Sequence, residues 1–117
     1  MDMTSPNYSL HRLTQLADQL RQVRKSDLHA GDWVIVKTEH STYRVHVLKN
    51  GKYRVSGGWF DRKFTVPVEI GIVGCTWGGS AVKIDIVAAC GLRLEFGNKV
   101  KTSAIREITV FRNSILN

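Results

Sequence analysis

Within residues 44–54, Arg44, His46, Lys52 and Arg54 are side chains able to meet an anion together on one strand face. Guanidinium and ammonium groups gathered on one face bind phosphate or carboxylate through charge-assisted hydrogen bonds. Behind Gly57-Gly58 stands Trp59-Phe60-Asp61-Arg62-Lys63-Phe64, where aromatic and basic residues interleave. Rings that stack bases beside cations that meet phosphates are the parts of a single-strand nucleic-acid surface. The candidate contact residues are therefore Arg44, His46, Lys52, Arg54, Trp59, Arg62 and Lys63, with Lys37 and Lys49 close by in sequence. The plainer reading is a solvated strand face, with Trp59 and Phe64 belonging to the core.

A second candidate is the glycine-rich stretch Gly74-Cys75-Thr76-Trp77-Gly78-Gly79-Ser80. It lacks both the phosphate-cradling GxxxxGK[ST] spacing and GxGxxG, since Lys83 stands alone four positions after Gly79. Cys75 is a nucleophile only with a base beside it, and nothing local supplies one. The expected ligand-loop residues are Cys75, Thr76, Trp77 and Ser80; the plain alternative is a turn whose Trp77 packs on the core.

Other chemistries find no constellation. Asp85, Glu95 and Glu107 are dispersed, each within two positions of Lys83, Arg93 or Arg106, which reads as solvated ion pairs. His11, His29, His40 and His46 are scattered, and Cys75 and Cys90 form neither a CxxC nor a disulfide framework. The sequence therefore points to no catalytic residues, no metal and no cofactor. Two unpaired cysteines suit a reducing cytoplasm.

These candidates need elements to hold them. The chain has 117 residues, 43% hydrophobic and 23% charged, a globular composition sized for one domain. Seventeen Lys and Arg stand against ten Asp and Glu, a net charge of +7. Residues 31–66 hold most of that excess, with seven basic side chains against Asp32, Glu39 and Asp61. An electrostatic site belongs there first. No run approaches the ~18 apolar residues that cross a bilayer, and the first residues lack a secretory pattern, so no membrane is expected.

Leu10, Leu13, Leu16, Ala17, Leu20 and Val23 recur at spacings of three and four, which predicts an amphipathic helix over residues 8–25. Its apolar stripe either closes one end of a barrel or pairs with another subunit, a protein partner or self-association then running through Leu13, Leu16 and Leu20. After Gly31 the pattern becomes strand-like. The runs are Trp33–Thr38, Thr42–Leu48, Lys52–Gly57, Val68–Thr76, Val82–Val87, Leu92–Phe96, Val100–Ser103 and Glu107–Arg112. The expectation is a mainly β chain: one partly open antiparallel barrel over 31–112, the N-terminal helix, and a frayed tail over 113–117.

Turn chemistry fixes two registers. A three-residue loop at Lys49-Asn50-Gly51 pairs Val47 with Tyr53 and Val45 with Val55. Tyr43, Val45, Val47, Tyr53 and Val55 then share one face, and Arg44, His46, Lys52 and Arg54 the other. A slip by one residue would bury the charges. A similar loop at Gly97-Asn98-Lys99 sets Val100 beside Phe96 and Lys101 beside Glu95, with a break near Ser103-Ala104.

Leu28-His29-Ala30-Gly31-Asp32-Trp33-Val34-Ile35-Val36 resembles the opening strand of SH3-like barrels, where Gly-Asp introduces the first strand, and Tyr43 to Val55 extends the likeness. Such barrels include RNA-, DNA- and peptide-binding modules, so the resemblance implies architecture and not activity. The strands after Val68 exceed a minimal five-stranded barrel. The leading expectation is a small basic binding module that meets nucleic acid through its basic hairpin. The alternatives are a protein-interaction or self-assembling module using the helix stripe or an open sheet edge, and a small-ligand binder at Gly74 to Ser80.

Overall fold

Alternation of apolar and polar residues resolves into short strands in a computed structural model that describes residues 17–78 and 81–113. They are β1 (Ala17–Leu20), β2 (Gln22–Arg24), β3 (Trp33–Thr38), β4 (Thr42–Val47), β5 (Tyr53–Gly57), β6 (Val68–Ile70), β7 (Ile72–Thr76), β8 (Val82–Lys83), β9 (Ile86–Ala89), β10 (Arg93–Phe96) and β11 (Ile105–Phe111). A short α-helix, α1 (Gly58–Lys63), joins β5 to β6. All strand pairs are antiparallel. A six-stranded sheet runs β1-β11-β3-β4-β5-β6, beside a three-stranded sheet β10-β7-β8 and the pair β2-β9. The large sheet does not close on itself, since β1 and β6 are its edges. The chain leaves it at both edges through one residue: Arg21 leads from β1 into β2, and Gly71 from β6 into β7.

Both turn registers form as the alternation requires. Val45 pairs with Val55, Val47 with Tyr53 and His46 with Arg54. The Leu48 N–H donates to the Lys52 carbonyl at 2.9 Å, closing a loop in which Asn50 and Gly51 are both left-handed. Tyr43, Val45, Val47, Tyr53 and Val55 are all buried. In the other turn the Phe96 N–H donates to Val100, Lys101 bridges Glu95, and Lys99 takes the left-handed position. The chain then bends at Ser103 before β11 begins at Ile105. Val100–Ser103 therefore contributes a bridge and not a strand.

The inner faces enclose one apolar cluster. Val34, Val36, Tyr43, Val45, Val55, Ile108 and Val110 of the large sheet meet Val23, Ile72, Cys75, Val87, Leu94 and Phe96 of the smaller ones. Phe60 ties α1 into it, edge-on to both Tyr43 and Phe96. The two glycines before α1 make that approach fit. A Cβ on Gly57 would strike the Thr42 carbonyl, and one on Gly58 the Tyr43 ring, and both residues have positive φ.

Residues 17–25 correct the helix expectation. Ala17–Leu20 pairs with β11 and Gln22–Arg24 with β9. A strand here saturates the exposed backbone of β11, a long-range gain that a local 3.6-residue pattern cannot report. Leu20 lies half-buried against the core, and Val23 is fully buried. Leu13, Leu16 and the rest of the expected helix before residue 17, Ser80, and the tail from residue 114 lie outside the described residues.

The entry to β3 is pinned to the end of β11. Buried Asp32 accepts hydrogen bonds from the backbone N–H groups of His29 (2.9 Å) and Asn113 (2.8 Å). Arg112 stands 3.6 Å from the same carboxylate and donates to the Asp27 carbonyl at 2.6 Å. The Gly31-Asp32 pair thus anchors a strand end, a structural role for a buried and satisfied charge. Among the described residues no helix is long and apolar enough to cross a membrane.

Candidate functional site

The outer face of the large sheet carries the charge. Period-two alternation that buries Val34, Val36, Val45 and Val55 turns their neighbours outward. Register then sets them in rows across the strands. One row runs Phe111, Trp33, His46, Arg54, Glu69 from β11 to β6. The next runs Thr109, Ile35, Arg44, Ser56. Lys52 follows the turn on the same side and is exposed.

Partners differ among these cations. Arg44 donates to the Ser56 hydroxyl at 3.1 Å and stands 3.9 Å from the Asp61 carboxylate. Lys37 lies 3.8 Å from Glu107. Both pairs are half-exposed and weakly held, so the cations remain available to a stronger anion. Among the described residues, Lys52, Arg54, Arg62 and Lys63 have no carboxylate within 4.0 Å. His46 and Arg54 oppose each other directly, a like-charge contact whenever His46 is protonated.

Trp59 sits elsewhere. It is half-buried in α1, packed edge-on against Phe60 and Phe64, and does not join the rows of the sheet. The ring that does join them is Trp33, stacked on His46 with ring centroids 4.2 Å apart and planes 7° from parallel. Sequence reasoning passed over it. The signal was the alternation itself: with Val34 and Val36 inward, Trp33 must face out. Arg62 and Lys63 are exposed in the last turn of α1, and Asp61 of the same helix accepts from the Gly57 N–H at 2.8 Å.

At the turn end of the β4–β5 hairpin lies a groove of about 680 Å³ lined by Lys25, Leu28, His29, Lys49, Gly51 and Tyr53 among others, with no carboxylate in its wall. Lys25 is partly engaged, donating to the Val73 carbonyl at 3.2 Å. Burial pushes the Tyr53 phenol above its ordinary range.

The Gly74–Ser80 stretch is built differently. Cys75 and Thr76 are fully buried in β7. Burial pushes the Cys75 thiol up to about 11, and its Sγ contacts the Val87 carbonyl at 3.4 Å. A thiol this far from ionisation is a poor nucleophile. Trp77 is 65% exposed, with the Lys83 ammonium 5.0 Å from its ring centroid. The carboxylates pair across strands rather than along them: Glu95 with Lys101 at 4.0 Å and Glu107 with Lys37. Among the described residues no three His, Cys, Asp or Glu side chains cluster as a metal site.

Protein-family models, curated proteins and solved structures were compared with this chain, and none matches.

Proposed function

We propose that this chain is a non-catalytic binding module whose β3–β4–β5 outer face meets nucleic acid. The observation that carries the reading is the grouping of Arg44, His46, Lys52 and Arg54 on one wet sheet face, where among the described residues no carboxylate comes within 4.0 Å of Lys52 or Arg54, Glu69 being the cross-strand neighbour of Arg54 at a longer distance. Cations spread over an open face neutralise several phosphates at once, and the released counterions drive association. The SH3-like resemblance of Leu28 to Val55 is an argument for architecture alone and adds no support to this reading.

Oligonucleotide titration at several salt concentrations tests it. Affinity falls linearly with log salt, with a slope of roughly −2 to −3 for three or four phosphate contacts. Arg54→Ala weakens binding for every sequence and lowers the slope by about 1. Absence of binding to either DNA or RNA at low salt rejects the reading.

A further inference from the structure

Charge alone does not require the Trp33–His46 stack. One flat face of the indole is covered by the imidazole. Among the described residues no other ring contacts Trp33; its cross-strand partner Phe111 makes no ring contact with it. The side chain keeps 41% of its area in solvent. Tyr43, Trp59, Phe60, Phe64 and Phe96 instead contact one another in and beside the core. Trp33 and His46 thus form a separate two-ring stack on the cationic face, with Arg54 next in the row.

We infer that this pair is a stacking platform for an unpaired base, so that the nucleic acid taken by the face is single-stranded. The inference rests on the proposed function and narrows its substrate class. In a duplex the flat faces of each internal base are covered by its neighbours, so none is free to stack on an indole. An unpaired base extends the stack on the face of Trp33 turned away from His46, and the strand runs from there across β4 so that its neighbouring phosphates reach Arg44, Lys52 and Arg54. Every base has a π-face, so the platform holds strands of varied sequence.

The test uses the full chain at low salt with three labelled probes: a short mixed-sequence single strand, its duplex, and an abasic strand of the same length. The single strand binds about tenfold more tightly than the duplex, and Trp33→Ala removes roughly that factor for the single strand alone. Trp33→Ala leaves duplex and abasic binding and the salt slope unchanged, because it removes no charge. Trp33→Phe keeps most of the affinity but loses the quenching of indole fluorescence that accompanies binding. Equal affinity for single strand and duplex, or indifference to Trp33→Ala while Arg54→Ala still weakens binding, overturns the platform and leaves the charge-based reading standing. Absence of binding to all three probes removes both.

Discussion

Two regions bear side chains with chemical potential, and they are built on opposite principles. The β3–β4–β5 sheet buries every second residue and turns Arg44, His46 and Arg54 to solvent. Strand β7 is different: Ile72, Gly74, Cys75 and Thr76 are all buried, on both sides of the strand. It lies between β10 and β8 within its own sheet and packs against β9. The comparison teaches that a reactive residue type becomes a site only on a strand with a wet face. Cys75 is a nucleophile by type and a core residue by placement, whereas Arg54 has no deeper role that would compete with binding.

The sharpest way to break this contrast is to add a charge to each region. Cys75→Asp introduces an unpaired carboxylate into the core and is expected to cost more than about 4 kcal/mol, read by urea denaturation. Thr42→Asp on the partly exposed β4 position is expected to change stability by less than about 1 kcal/mol. Similar losses at the two positions would show that β7 is not the dry strand described.

Binding separates the regions next. Arg54→Glu is expected to weaken oligonucleotide affinity by about tenfold or more, since it removes a phosphate contact and adds a repulsive charge in its place. Lys83→Glu, on β8 beside Trp77, should change it by less than about threefold. A larger effect at Lys83, measured by fluorescence anisotropy, would move the site to the other hairpin.

The pH dependence of unfolding follows from Cys75 and Tyr53, both raised by burial. A group held protonated in the folded chain adds stability that is full below its unfolded pKa and is lost as pH rises towards the folded one. Thermal stability should therefore stay level up to about pH 9 and decline between there and about 11, and Cys75→Val should flatten part of that decline. At pH 8 iodoacetamide should modify half-buried Cys90 well before Cys75. The smallest effect belongs to the Glu95–Lys101 pair, 4.0 Å apart with the ammonium partly exposed, where Lys101→Ala should shift stability by no more than about 1 kcal/mol.

Legibility varied with how local the deciding interaction was. Hairpins 43–57 and 93–101 were readable because turn geometry and alternation constrain the same register from two directions. Val68–Thr76 and Val82–Val87 read as single strands, yet each divides, at Gly71 and at Ile84-Asp85, as the chain passes to a neighbouring sheet. Residues 17–25 misled, because Leu20 and Val23 fit a helical stripe as well as they fit two short strands. Of the candidate site, the four hairpin residues follow from pattern alone, while the ring on the basic face is Trp33 and not Trp59.

Local pattern suffices to say which residues of the basic hairpin are wet, because period two and a fixed turn leave one register that keeps the charges out of the core. The sequence also concentrates the positive excess in residues 31–66. Only the tertiary structure decided that β11 recruits residues 17–20, that β7 is covered on both sides, and that Trp33 stacks on His46. Each of these depends on partners far apart in the chain. Hydrophobic and hydrogen-bonding gains from such partners outweigh local propensity, and no window along the sequence contains them.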